Sequence, residues 1–139
     1  MNKIFVDTWG WLTLADEKEK QHRKILQVVQ DSLRKGVKLY SSDAVLSETI
    51  TLLFRRLPRE KAIHVMEIIL GQEGLQKISI SPERFDRAVQ LRKQYADQPL
   101  ISFTDLLSFV IMDEYSIPSV ITEDHHFDIM HFGFQRVTG

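Results

Sequence analysis

The sequence contains no cysteine, and this absence excludes several classes of protein. Without thiols the chain has no disulfide framework, no zinc–thiolate site and no cysteine nucleophile. Long apolar runs are missing as well, because no stretch approaches the roughly 18 apolar residues of a membrane span. The apolar run at residues 4–6 ends at an acid and is too short for the core of a signal peptide. We therefore expect a cytoplasmic protein with no membrane segment.

Neither sign of charge is in surplus. The chain carries 18 basic and 19 acidic residues, with a formal net charge of −1. This balance argues against binding nucleic acid through bulk positive charge, but it leaves room for a local basic rim around an acidic centre. The sequence also has no internal repeat, no low-complexity segment and no linker. At 139 residues it is long enough to bury one core, so we expect a single domain over residues 1–139.

Short apolar runs alternate with helical patterns along the chain. Strands are predicted at residues 4–6, 39–40, 77–80, 119–122 and 134–137. Helices are predicted at residues 9–14, 16–35, 43–57, 59–70 and 82–95, with a further helix around Asp105. Because helical stretches separate the strands, we predict an α/β fold. Its central sheet has four to five mostly parallel strands, with helices on both faces.

Four acids stand where such a sheet forms a site. Asp7 ends the first strand and Asp124 follows the fourth, and ligands bind beyond the carboxyl ends of parallel strands. Glu48 lies one and a half turns into the helix after the second strand, where we expect it to be half buried. Asp105 opens a later helix. Each acid also has an ordinary interpretation, as a helix cap or a surface residue.

The helix that begins at Asp105 is apolar on almost every side. Ser102 or Thr104 can cap it, which puts Asp105 in the first turn, where the helix dipole favours an anion. At helical spacing, Asp105 shares a face with Phe109 and Met112. A carboxylate at the edge of a core needs a partner or a metal ion.

The acids have no lysine or arginine next to them in sequence, so a cluster of them would repel itself unless protons or cations neutralise it. Mg²⁺ or Mn²⁺ are the natural occupants of an all-oxygen site. The chemistry that follows is attack of water on a phosphodiester, assisted by the ion. Thr8 and Thr122 are candidate supporting hydroxyls, although both are equally ordinary as polar turn residues.

Two further stretches carry charge or histidine. Arg55, Arg56 and Arg59 belong to the densest basic stretch, which either binds phosphate groups without base specificity or is a solvated helix face. His125 and His126 stand among acids and invite the interpretation of a transition-metal cluster. Their spacing suits no standard zinc pattern, so we favour a polar loop beside the site.

Two other enzyme families that place an aspartate after the first strand do not fit. A phosphatase of the haloacid-dehalogenase type needs a second aspartate two residues later, where this sequence has Trp9. A receiver domain needs paired acids near the first strand and a late lysine after a strand, and neither is present.

The motifs, in their order along the chain, resemble those of the PIN-domain family of metal-dependent ribonucleases, in particular the VapC-like toxins of bacterial type II toxin–antitoxin pairs. The matching segments lie at residues 6–8, 45–48, 102–105, 121–127 and 132–134. The resemblance implies a Rossmann-like PIN fold and endonucleolytic cleavage of RNA at a Mg²⁺ or Mn²⁺ centre. The site residues it implies are Asp7, Glu48, Asp105 and Asp124 as catalytic acids and metal ligands, with Thr8, Thr104 and Thr122 as supporting hydroxyls.

The resemblance also implies partners. A small antitoxin protein and a homodimer are expected, and the apolar helix at residues 59–70 is one candidate dimer surface, although it could as easily pack on the sheet. The resemblance favours an active toxin. Two alternatives stay open: a housekeeping RNA-processing nuclease, and a catalytically silent PIN-like module that binds RNA or protein.

Overall fold

The computed structural model describes residues 2–128 and 131–138, which form five strands and six α-helices. The strands are β1 (Lys3–Val6), β2 (Lys38–Ser42), β3 (Leu75–Ile78), β4 (Ser119–Ile121) and β5 (Gln135–Val137). The helices are α1 (Thr8–Ala15), α2 (His22–Arg34), α3 (Asp43–Arg56), α4 (Arg59–Leu70), α5 (Pro82–Gln94) and α6 (Phe103–Glu114). Within these described ranges, no helix has both the length and the apolar character that crossing a membrane requires.

All five strands are parallel and lie in the order β3-β2-β1-β4-β5. The chain moves outward from β1 to β3 and then returns to β4 on the other side of β1. Because crossovers between parallel strands are right-handed, the helices before and after this reversal lie on opposite faces of the sheet. The predicted α/β class is confirmed. The reversal also opens a crevice beyond the carboxyl ends of β1 and β4, where such sheets bind ligands.

The core surrounds the central strand. Ile4, Phe5 and Val6 are fully buried, as expected for a strand covered on both faces. Gly10 lets α1 approach this strand closely, because a Cβ atom there would lie 2.9 Å from Val6 Cγ1 and from the carbonyl oxygen of Ile121. The first turn of α1 is therefore held against the ends of β1 and β4.

The largest differences from the predicted element boundaries are in α2 and β3. The helix expected from residue 16 begins at His22, because the Asp16 carboxylate accepts a hydrogen bond of 3.0 Å from the Lys18 amide and favours a turn. The third strand ends at Ile78 and not at Ile80, since the Ile80 amide donates to the Asp43 carboxylate instead of joining the sheet. Both shifts are caused by aspartate side chains that accept hydrogen bonds from backbone amides, Asp16 from a nearby residue and Asp43 from a residue distant in sequence.

Candidate metal centre

Asp7 is the first residue after β1 and the N-cap of α1, yet its side chain does not cap that helix. The carboxylate instead accepts a hydrogen bond of 2.8 Å from the hydroxyl of Thr122, at the end of β4. Asp7 is 7% exposed. The pKa of its carboxyl is raised from 3.8 to about 6, chiefly by burial and to a smaller extent by the nearby carboxylates of Asp124 and Glu48, while the hydrogen bond from Thr122 acts in the opposite direction.

Asp105 is the third residue of α6, and its backbone amide donates a 3.0 Å hydrogen bond to the Ser102 hydroxyl, the N-cap. Of the two predicted caps, Ser102 and Thr104, the structure therefore uses the first. Asp105 is as buried as Asp7. Burial, followed by the carboxylates of Asp124 and Asp7, raises the pKa of Asp105 to about 8. Without a cation, these surroundings favour the protonated form of this carboxyl over the charged form.

Asp124 is the third residue after the end of β4, and Thr122 links it to Asp7. The fully buried Thr122 hydroxyl donates to Asp7 and accepts a 3.1 Å hydrogen bond from the Asp124 amide. The Asp124 carboxylate in turn accepts a 2.9 Å bond from the amide of His126. One hydroxyl therefore fixes the positions of two of the predicted acids.

Glu48 completes the group, although it is more exposed than predicted. Val45 and Thr49 take the buried face of α3, so the Glu48 side chain faces the opening of the crevice and not the core. The expectation that Glu48 is half buried is wrong. Even so, the four predicted acids line one cavity of about 650 Å³.

Hydroxyl groups and one arginine line the same cavity. Thr8 is 7% exposed, and its Oγ1 has no hydrogen-bond partner in the part of the chain that the structure describes. Thr104 also lines the cavity and is half buried. All three predicted arginines are exposed, and of these Arg56 lines the cavity whereas Arg55 and Arg59 lie outside its described lining. A buried hydroxyl without a partner marks a place for a polar occupant.

His126 is the member of the site that the sequence did not reveal. Its Nδ1 lies 2.9 Å from Oδ1 of Asp124 and 3.9 Å from Oδ2 of Asp105. The short contact lacks the alignment of a hydrogen bond, and the buried Nδ1 has no hydrogen-bond partner among residues 2–128 and 131–138. One ligand atom from each of these three residues lies within 4.8 Å of the others. In the sequence, His126 lies two residues after Asp124, which is a possible sign of a metal ligand. His125 stands beside it, however, and nothing in the pattern distinguishes the two histidines.

The other residues of that histidine-rich stretch bind other partners or are exposed, and they do not join the acids. Asp128 forms a 2.8 Å ion pair with Arg136. His131 forms a hydrogen bond with the hydroxyl of Tyr95, and His125 is exposed. The preference for a polar loop over a transition-metal cluster therefore holds for these residues, whereas His126 joins the acids.

The donor set suits a divalent cation. Among the described residues, no lysine or arginine forms an ion pair with Asp7, Glu48, Asp105 or Asp124. Asp7 and Asp105 are buried, and burial together with neighbouring carboxylates raises their pKa values, which is an arrangement that a hard cation with oxygen ligands stabilises. The residues present therefore fit such an ion.

Solved structures share this architecture. VapC20 from Mycobacterium tuberculosis, a Sarcin-Ricin loop cleaving toxin, is 25% identical, with a TM-score of 0.77 over 90% of this chain and 92% of that chain. VapBC2 from Rickettsia felis, bound to a DNA fragment from their promoter, is 17% identical, with a TM-score of 0.73 over 97% of both chains. FitAcB from Neisseria gonorrhoeae is 14% identical, with a TM-score of 0.70 over 97% of this chain and 96% of that chain.

At their lower identities, the second and third of these structures show the fold alone. Among curated proteins, none matches the sequence significantly. The family model described as the PIN domain matches residues 4–132, which is nearly the whole chain and includes all four acids. This chain belongs to the PIN domain family.

Proposed function

We propose that this protein is a metal-dependent endoribonuclease that hydrolyses phosphodiester bonds of RNA. The observation that supports this most is the convergence of Asp7, Glu48, Asp105 and Asp124 on one cavity, with no basic partner among the described residues. RNA is the favoured substrate because the chain is a PIN domain, and VapC20, which shares its fold, is a Sarcin-Ricin loop cleaving toxin.

Mg²⁺ or Mn²⁺ would be held by Asp7, Asp105 and Asp124, with Glu48 at the opening of the cavity. When bound, such an ion supplies Lewis-acid stabilisation of the charge that develops on the phosphate and on the leaving oxygen. The chain supplies no obvious nucleophile of its own, so water is the attacking group. The acids fill the role of ligands because burial makes their charged forms unstable without a cation.

The remaining residues of the cavity orient these acids and the substrate. Thr122 fixes the Asp7 carboxylate with its hydroxyl, and Ser102 fixes the start of α6 that carries Asp105. The free Thr8 hydroxyl is available to water or to a phosphate oxygen, and Thr104 offers a second hydroxyl. Arg56 is the basic side chain in the described lining and is suited to a phosphate group of the RNA.

The decisive test compares wild type with Asp105→Asn on a labelled single-stranded RNA, in EDTA, Mg²⁺ and Mn²⁺. Asp86→Asn is the matched control, because Asp86 is an exposed acid in α5 outside the cavity lining. We expect wild type and Asp86→Asn to cleave only with a divalent ion. Asp105→Asn should lose roughly 100-fold or more of the rate, because a ligand and a charge are removed together.

Circular dichroism should show that all three proteins are folded. Cleavage that persists in EDTA, or in folded Asp105→Asn, would contradict the proposal. Folded wild type that binds a divalent ion but cleaves no RNA would favour the silent binding module instead.

The biological role that we propose is the toxin of a toxin–antitoxin pair, acting in the cytoplasm, with a small antitoxin as partner. VapC20 is a toxin, and the Rickettsia felis structure contains the VapBC2 complex. Ile68 and Leu70 of α4 are 54% and 46% exposed, which leaves apolar surface of the kind that protein partners cover. We also propose a homodimer.

Growth assays and solution mass separate these roles. Expression should arrest growth, and co-expression of a short protein encoded next to this gene should relieve the arrest. Asp105→Asn should be harmless in the same assay. Light scattering should give about twice the 16.2 kDa of one chain if the homodimer exists. Growth that is unaffected by the active enzyme would favour a housekeeping nuclease.

A further inference from the structure

We propose that His126 is a nitrogen ligand of the ion in this cavity, and that it makes the site prefer Mn²⁺ to Mg²⁺. The inference rests on the proposed metal centre and adds to it a ligand that the four acids do not supply. It concerns which ion the site selects, so it can fail while the ribonuclease proposal stands.

The geometry around His126 suits an ion shared with two acids. In octahedral coordination at about 2.1 Å, neighbouring ligand atoms lie about 3 Å apart and opposite ones about 4.2 Å apart. His126 Nδ1 lies 2.9 Å from the Asp124 carboxylate and 3.9 Å from that of Asp105, and both distances agree with that range. One ligand atom from each of the three residues lies within 4.8 Å of the others, which brings all three to the edge of one candidate ion position.

Two buried polar atoms of the site that lack a hydrogen-bond partner also support a bound ion. His126 Nδ1 is buried, and neither it nor the deeply buried Thr8 hydroxyl has a hydrogen-bond partner within the described ranges. Both residues line the cavity that holds the acids. Buried polar atoms in folded proteins are almost always paired with protein, water or an ion. Two buried polar atoms without a hydrogen-bond partner, both at the edge of one acidic cavity, indicate an occupant that bonds to both nitrogen and oxygen atoms.

His126 is also held firmly enough to act as a ligand. Its amide donates to the Asp124 carboxylate within the short 3₁₀ helix His125–Phe127. The next residue, Phe127, is fully buried and meets the ring of Phe109 in α6 edge to face, with 4.8 Å between centroids. Since α6 also carries Asp105, one packing contact fixes the histidine relative to that acid.

The preference for Mn²⁺ follows from ligand chemistry. Mg²⁺ takes oxygen ligands and keeps much of its water, whereas Mn²⁺, which also favours oxygen, is a softer ion and accepts an imidazole nitrogen more readily than Mg²⁺ does. A site of carboxylates alone would accept either ion. When an imidazole nitrogen replaces one oxygen ligand, Mn²⁺ gains a favourable bond, whereas the affinity for Mg²⁺ changes little.

The test loads Mn²⁺ into wild type, His126→Gln and His125→Gln, and records electron spin echo modulation from nitrogen nuclei near the ion. His125 is the matched control, because it is the adjacent histidine, is exposed and does not line the cavity. We expect nitrogen modulation in wild type and His125→Gln and none in His126→Gln. Titration calorimetry should show that His126→Gln loses roughly tenfold or more in Mn²⁺ affinity. Its Mg²⁺ affinity should stay nearly unchanged.

Asp105→Asn, which should lose affinity for both ions, separates the two proposals. If wild type binds Mn²⁺ and shows no nitrogen modulation, His126 is not a ligand and the acid centre still stands. Equal losses of Mn²⁺ and Mg²⁺ affinity in His126→Gln would overturn the selectivity. Wild type that binds neither ion would overturn both proposals. His126→Ala, checked by circular dichroism, replaces His126→Gln if the latter does not fold.

Discussion

At the scale of single residues, the acids of the crevice destabilise the fold that brings them together. Burial raises the pKa of Asp7 to about 6 and that of Asp105 to about 8, above the value of 3.8 expected in an unfolded chain. Between the unfolded pKa of 3.8 and these raised pKa values, the folded protein without a metal ion therefore holds more protons than the unfolded chain. Its stability is greatest when both acids are protonated and falls as the pH rises through this range.

The direction of this pH dependence gives a prediction for the metal-free protein. In EDTA, the melting temperature of wild type should fall between pH 5 and pH 8. For Asp7 alone, the rise in pKa corresponds to on the order of 3 kcal/mol of stability, lost between about pH 4 and pH 6, so the fall above pH 6 comes mainly from Asp105. Asp105→Asn should show a shallower fall, because asparagine cannot ionise, and Asp86→Asn should follow wild type. A melting temperature that rises over this interval would contradict the assigned pKa directions.

A second prediction at this scale concerns phosphate binding. Arg56 lines the acidic cavity and Arg55 does not, although the two are adjacent in α3. Arg56→Ala should therefore weaken RNA binding roughly tenfold, the loss of one hydrogen-bonded charge, and reduce the salt dependence by about 0.7 in a log–log plot. Arg55→Ala should change both quantities less. Fluorescence anisotropy at several salt concentrations, with Ca²⁺ to prevent cleavage, measures them, and equal effects of the two variants would contradict the assignment.

The sequence predicts where a candidate site residue lies in the fold when a strand end fixes its position. Asp7 and Asp124 follow from the ends of β1 and β4, because a parallel sheet brings those ends to one edge. The exposure of Glu48 and the approach of His126 to Asp105 do not follow. Both depend on how helices pack against one another over long sequence distances, which local pattern does not specify.

At the scale of elements, the start of α6 connects stability with the site. The Ser102 hydroxyl caps the helix through the amide of Asp105, and Ser81 caps α5 in the same way through the amide of Arg84. Either serine changed to alanine should cost about 1 kcal/mol of folding free energy. Only Ser102→Ala should also weaken metal binding, because it loosens the turn that carries Asp105.

Chemical denaturation and metal titration of both alanine variants test this prediction. Equal losses of stability accompanied by equal metal affinities would show that the cap of α6 has no part in positioning Asp105. The boundaries of the elements themselves were less predictable than their existence. α2 and β3 shifted because the aspartate side chains at positions 16 and 43 bind backbone amides, one locally and one across the fold.

At the scale of the whole molecule, the site joins segments from the two ends of the chain. Thr122 binds Asp7 across 115 positions of sequence, and the other acids come from α3 and α6. In an unfolded chain these groups are far apart, so the proposed ion would bind tightly only to the folded protein. Its binding would therefore stabilise the entire fold by mass action.

This coupling leads to an inversion of stability. In EDTA at pH 8, Asp105→Asn should melt above wild type, because a repelling buried acid has been removed. At a concentration of Mn²⁺ about 100 times its dissociation constant, wild type should gain about 2.7 kcal/mol, or on the order of 10 °C in melting temperature. Asp105→Asn should gain little and melt below wild type.

Scanning calorimetry with and without Mn²⁺ tests the inversion, with Asp86→Asn expected to behave as wild type in both conditions. If Asp105→Asn is less stable than wild type already in EDTA, the carboxylate contributes to the fold through some other contact. If both proteins gain equally from Mn²⁺, the ion binds elsewhere. An inversion would mean that the same carboxylate weakens the empty fold and stabilises the loaded one, which is the behaviour expected of a residue kept for binding rather than for packing.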